Sequence, residues 1–318
     1  MANQSEKIKL LLIQKQGVFG TAETDVAAAD VIETIGPATI KLNPNGTEVD
    51  LVAGALSQDG FVPGAADLDL AFKVYCVGAG SDAPGQYGTL LELAGLVKSE
   101  VVDGTFTYAF TSAQASLADF TAWLYSGNLN TSGSVLRKAY NGLIIPKWTF
   151  AAGKPTIFDC TSKMGYGGIP AAATSPSITK QATIPPAFFA TAALSIVGDS
   201  DYQIISGEID GGQTAALTLD PSDTYGNGLS VLTDRKIKWK FKVYQDIPSV
   251  VDPETALTGK TQGALTITYG TVPQKLSWSL ATAQIIDIDH DDEGGVSTWT
   301  LSGISAANAF AHSIQTKA

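Results

Sequence analysis

Eight consecutive residues, Lys236 to Val243, alternate without a break: Lys236, Lys238, Lys240 and Lys242 are interleaved with Ile237, Trp239, Phe241 and Val243. Strand side chains point to opposite faces with a period of two, whereas a helix would spread these lysines and apolar residues around its whole circumference. The segment therefore reads as a strand with one face in a core and one cationic face. The same alternation recurs at Thr105 to Thr111, with Phe106, Tyr108 and Phe110 on one side, and at Ala264 to Tyr269, with Leu265, Ile267 and Tyr269. Clusters of Gly, Pro, Asn and Asp separate such segments, a pattern of antiparallel strands joined by turns. Helix signals are few. The best is Tyr87 to Leu96, where Leu90, Leu93 and Ala94 share a face and Gly95 supplies a stop. The expected fold is mainly β, with one short helix.

An internal echo divides the chain. Phe72-Lys73-Val74-Tyr75 returns as Phe241-Lys242-Val243-Tyr244, 169 residues on from position 72 to position 241. At that offset the apolar face Leu68, Leu70, Phe72, Val74 falls on Ile237, Trp239, Phe241, Val243. Asn45 to Leu51 resembles Gly212 to Leu217, and Pro146 to Phe150 resembles Pro273 to Trp278. The stretch Ile169 to Pro186 holds four prolines among small polar residues and has no periodicity, so it reads as a connector. The expected organisation is two tandem β domains: residues 1–172 carrying the helix near 87–96, a linker at 173–186, and residues 187–318. A length of 318 residues suits two domains of roughly 150 residues each.

The two copies of the echoed strand differ in charge. Asp67 and Asp69 occupy the places of Lys236 and Lys238, with Lys240 and Lys242 continuing the cationic face. Such faces either meet with complementary potentials when domains alternate in an assembly, or are two unrelated solvated surfaces. The whole chain is acidic, with 31 Asp plus Glu against 20 Lys plus Arg and a net charge of −11. That balance opposes phosphate binding, which rests on cations that release counterions. Hydrophobic residues make up 44% and charged residues 16%, ample for a packed core. No stretch approaches the roughly 20 apolar residues of a membrane span. Near the start only Leu10 to Ile13 are uninterruptedly apolar, so no signal peptide is expected, and synthesis in the cytoplasm is.

Residues suited to catalysis are scarce. His290 and His312 are the only histidines, and neither lies in a recognised nucleophile or metal setting. Cys76 and Cys160 fall on strand-like segments and read as buried thiols. Gly78 to Ala83 lacks the third glycine of a dinucleotide loop. In the acidic run Asp287 to Gly295, the sixth position of a calcium loop is Asp292 instead of Gly and the twelfth is Thr298 instead of Glu. A solvated acidic hairpin is the first reading of that run and a weak divalent-ion site the second. Trp123, Tyr125, Trp148, Trp239, Trp278 and Trp299 lie in alternating segments and read as core or interface anchors. No enzyme, cofactor or metal residue is expected.

Tyr87–Leu96 (YGTLLELAGL), Phe106–Phe110 (FTYAF), Asn141–Lys154 (NGLIIPKWTFAAGK) and Lys163–Gly167 (KMGYG) are followed by Leu232–Arg235 (LTDR) and the run from Ala283 through the acidic turn to Leu301. In this order the segments resemble the major tail tube proteins of long-tailed bacteriophages. The likeness covers most of the chain and lies in order and texture, not in an invariant motif. It implies that the two tandem domains are β-sandwiches or barrels of tail-tube type, in a structural virion protein whose copies form stacked rings around a channel for DNA, which passes without specific binding. Tape-measure, tail-terminator and tail-tip proteins are the implied partners, no membrane is, and the implied location is the virion tail. Long loops in that family join successive rings. The matching stretches are Ala53 to Ala66 and Asp220 to Thr233, with Phe61, Val62, Asp223, Tyr225 and Leu229 as contact candidates. Most members have one tube domain and form hexamers. Two domains per chain imply a trimer with pseudo-sixfold symmetry, and a six-chain ring is the alternative. A tail-tip, adhesin or other binding β protein is the second reading of function.

Overall fold

In the computed structural model, the described residues are 9–17, 23, 31–48, 61–77, 85–101, 104–110, 118–126, 135–152, 157–163, 166–167, 171–173, 192–219, 227–245, 252–272, 274–307 and 309–315. The chain is mainly β, with antiparallel pairings and, among the described residues, two short helices. Where the alternation is cleanest it is obeyed: in the strand Lys238–Tyr244 the apolar positions Trp239, Phe241 and Val243 are buried, with the lysines on the other face.

One ladder of eight strands runs through the molecule. In spatial order it contains β3 (Thr39–Glu48), β4 (Phe61–Tyr75), β9 (Ile157–Lys163), β8 (Val135–Ala152), β14 (Ile204–Asp210), β17 (Lys238–Tyr244), β20 (Val296–Ser305) and β19 (Lys275–Glu293). Two of these strands are long enough to serve a second ladder as well. The N-terminal part of β8 pairs with β7 (Phe120–Ser126), which continues to β1 (Lys9–Lys15) and β2 (Val31–Ile32). Short strands β10 (Tyr166–Gly167) and β11 (Ala171–Ala173) also pair with β8. The N-terminal part of β19 lies between β18 (Gln262–Tyr269) and β21 (Phe310–Gln315), and β18 continues to β12 (Ala193–Ile196) and β13 (Asp199–Tyr202). Register shifts at Ile144/Lys147 in β8 and Ile285/Asp287 in β19 mark where each changes ladder, the usual task of a bulge.

The echo at 169 residues extends to strand pairing, rung by rung. Glu48–Phe61, Thr47–Val62 and Gly46–Pro63 in the hairpin β3–β4 become Leu217–Ser230, Ala216–Val231 and Ala215–Leu232 in the hairpin of β15 (Gln213–Leu219) and β16 (Asn227–Arg235). Lys41–Asp69 and Ile40–Leu70 become Asp210–Lys238 and Ile209–Trp239. Both hairpins also shift register at the same place, after Pro44 in one and after Thr214 in the other. Lower down the chain the letters mislead. Trp148 pairs with Cys160 and Ile288 with Leu301, and Cys160 and Leu301 are the equivalent partners of Phe72 and Phe241. Trp148 thus corresponds to Ile288, not to Trp278 as the Pro-to-Trp echo implied.

The helix expected near 87–96 is α1 (Gly85–Leu93). Its end is a Schellman turn: Gly95 has φ +91°, and the Leu96 N–H donates to the Leu91 carbonyl. The expectation of a single helix is corrected by α2 (Pro253–Thr258), which occupies the corresponding place in the second half. Asp252 caps it and Pro253 begins it. Among the described residues, β5 (Val97–Val101) and β6 (Thr105–Ala109) have no counterpart in the second half, and β6 pairs with β21 near the other end of the chain. One hydrophobic cluster, from Leu11 to Ile314, runs through both halves. Most of the expected linker lies outside the described residues.

Candidate assembly surfaces

The two halves meet edge to edge where β8 pairs with β14. Phe150 stands opposite Ile209, Thr149 opposite Asp210, and Ala151 opposite Glu208. Phe150 and Ile209 are fully buried. The Phe150 ring lies 4.7 Å from Phe158 of its own half, and 5.0 Å from Trp278 and 5.6 Å from Phe310 of the other. Trp148 packs 5.9 Å from Phe110, and the Arg235 guanidinium lies over the Phe110 ring at 3.7 Å, a cation–π contact. Desolvation there lowers the Arg235 pKa. Each aromatic side chain removes a large apolar area from water, so this seam is core, not a hinge.

At the two ends of the eight-strand ladder lie β3 and the C-terminal part of β19. Among the described residues, neither end has a ladder partner on its outer side. On β3, Thr39 and Lys41 are exposed and Ile40 is partly buried. On β19, Asp287, Asp289, His290, Asp291, Asp292 and Glu293 are all exposed. The acidic run is therefore the outer part of a hairpin, as first read. Gly294 and Gly295 close it with φ of +65° and +88°, which fits a two-residue turn whose twist matches the strands. Lys242 of β17 binds Asp291 at 3.1 Å and Glu293 at 2.9 Å, while His290 faces Glu254 of α2 at 3.3 Å. No group of three metal-binding side chains converges among the described residues.

The charges on the echoed strands are matched within their own hairpins. Asp69 stands opposite Lys41, Lys238 opposite Asp210, Lys240 opposite Glu208, and Asp67 opposite Asn43. Lys236, just ahead of β17, binds Asp234 at 3.1 Å. Strands β9, β8 and β14 separate β4 from β17, so the structure does not bring the two charged faces together. The lysine–aspartate rung is inverted instead, with Lys41–Asp69 in one half and Asp210–Lys238 in the other. Lys41 and Asp210 were missed in the sequence, although the offset of 169 leads from one to the other.

The stretches read as ring-to-ring loops are partly strand. Phe61 and Val62 begin β4 opposite Glu48 and Thr47, and Leu229 lies in β16. Alternation hidden among small and glycine residues made these segments look irregular. Asp223 and Tyr225 fall outside the described residues. Two equivalent long hairpins, β3–β4 and β15–β16, take the place of the loops. At the foot of the second is an open cleft of about 470 Å³ lined by residues including Lys147, Trp148, Asp210, Gln213 and Lys238.

One of the two histidines belongs to the core. His312 is fully buried, donates from Nδ1 to the Ser277 carbonyl at 2.9 Å and accepts at Nε2 from the Tyr87 hydroxyl at 3.1 Å. Burial pushes its pKa down to about 3, which keeps the ring neutral. Cys76 beside Tyr87 is buried too, and desolvation pushes its thiol up to about 12. Among the described residues no helix is long and apolar enough to cross a membrane. Neither the scan against protein-family models nor the search of the curated proteins finds a match.

Proposed function

We propose that this chain is the tube-forming protein of a long phage tail, assembling by edge-to-edge sheet pairing into rings that stack around a channel for DNA. The observation that carries this reading is the β8–β14 seam, where two equivalent halves already join side by side in one sheet. Repeating that join between chains needs the two outer edges, β3 and β19, which carry no ladder partner among the described residues. Unpaired edges of this length are a hazard in a monomer and are consumed in a closed ring. Each chain supplies two equivalent units, so three chains make a ring of six.

The long hairpins β3–β4 and β15–β16 suit contacts between successive rings. The net charge of −11 suits a conduit through which DNA slides without adhering. Length control by a tape measure, and capping by terminator and tail-tip proteins, belong to the same reading.

Negative-stain electron microscopy of the concentrated, purified protein tests it. Rings or tubes with a central hole are the expected result. Solid, monodisperse particles under all conditions would favour the tail-tip or adhesin reading.

A further inference from the structure

The duplication carries residue-level information about a contact that a single chain does not contain. Val74 pairs with Phe158 and Val243 with Trp299, so Phe158 and Trp299 hold equivalent places. Phe150 pairs with Phe158 and His290 with Trp299, which makes Phe150 and His290 equivalent. Ile209 stands where Ile40 does, since Ile209–Trp239 repeats Ile40–Leu70. Transferring the β8–β14 rungs by these correspondences converts Phe150–Ile209 into His290–Ile40. Thr149–Asp210 becomes Asp289–Lys41, and Ala151–Glu208 becomes Asp291–Thr39.

We propose that β19 of one copy pairs antiparallel with β3 of a second copy in this register, with Lys41 facing Asp289. The inference rests on the ring reading above and adds the polarity and the rung-by-rung alignment of the contact. Charge favours it. Lys41 and Asp289 are both exposed on the free chain, and opposite charges directly across an antiparallel pair are stabilising. Asp287 and Asp291, two rungs either way along β19, leave this strand without a cation of its own at the edge. Two β19 edges brought together would repel. Self-complementary pairing is thereby disfavoured, and the directional β19-to-β3 contact, the kind that closes into rings, is selected.

Cysteine cross-linking of the full chain tests the register. Directly opposed antiparallel residues have Cα atoms about 4.5–5.5 Å apart, within the range a disulfide spans. The double variant Thr39→Cys/Asp291→Cys, oxidised after assembly, should give a covalent ladder of chain multiples on a denaturing gel that ends at the ring. Thr39→Cys/Asp287→Cys, displaced along β19, should stay largely uncrosslinked, as should the unmodified chain with Cys76 and Cys160. In parallel, Lys41→Glu should lower the assembled fraction at least tenfold, and adding Asp289→Lys to it should restore assembly. If particles form but the displaced pair cross-links as well as the aligned one, or neither does, the register is wrong and the ring reading stands. If the unmodified, folded chain forms no assembly at any concentration, the ring reading fails and this inference with it.

Discussion

The edge that β8 gives to β14 and the edge that β19 leaves open occupy equivalent places in two copies of one ladder, yet they are built from different residues. Where β8 has Trp148 and Phe150, both buried, β19 has Ile288, partly buried, and His290, exposed. Where β8 has Thr149 and Ala151, β19 has Asp289 and Asp291. The first seam is made once, within the folding chain, and never meets water, so large aromatic rings are tolerated and fuse the halves into one core. The second is exposed, and charge along an open edge opposes promiscuous pairing. On the reading proposed above, the two edges are a permanent joint and a provisional joint of one geometry.

The largest expected effect lies in the permanent joint. Phe150→Ala removes a ring that touches both halves and should cost about 3–5 kcal/mol, read by chemical denaturation as a lowered midpoint of a single transition. His290→Ala, at the equivalent place on the open edge, should change the stability of the free chain by less than about 0.5 kcal/mol. Comparable losses at the two positions would remove the distinction between the joints.

Gly207 sharpens the same contrast. A side chain there would run into the Phe241 ring. Gly207→Val should therefore cost about 1–3 kcal/mol through overpacking at the seam, whereas the equivalent residue just ahead of β3, Ala38, is buried in the core and already carries a Cβ.

Acid should loosen the core before it affects the outer edge. His312 has its pKa lowered from 6.5 to about 3 by burial, so below pH 6.5 the unfolded chain binds a proton that the folded chain refuses. Stability contributed by this group is complete above 6.5 and falls with pH by up to about 1.4 kcal/mol per unit. Denaturation midpoints across pH 3–7 should show this slope, and His312→Gln should flatten it. The smallest effect belongs to the open hairpin: replacing Lys242 by Met, despite its two carboxylate partners, should leave the denaturation midpoint of the free chain unchanged.

Much of this comparison was legible in the sequence, and the limits have physical causes. Alternation is a local signal, so β17 and the strands around Phe106 and Leu265 could be read directly. The shared Phe-Lys-Val-Tyr motif led to the offset that later aligned two hairpins rung for rung. Farther along, the spacing between equivalent strands changes because β5 and β6 are inserted in the first half, and the Pro-to-Trp echo then joined the wrong residues. Helix α2 was missed because six residues give no periodicity, although Asp252-Pro253-Glu254 is a recognisable start. The seam was beyond reach, since sequence identifies strands but not which edge finds which partner.

The most direct test of a joint repeated between chains is a three-dimensional cryo-electron microscopy reconstruction of the assembled protein, at a resolution that separates strands. The account predicts three chains around a hole, with the eight-strand ladder of each continuing from β19 into β3 of its neighbour at a strand spacing of about 4.8 Å. An assembled particle in which β3 and β19 both remain open at their outer edges would contradict it.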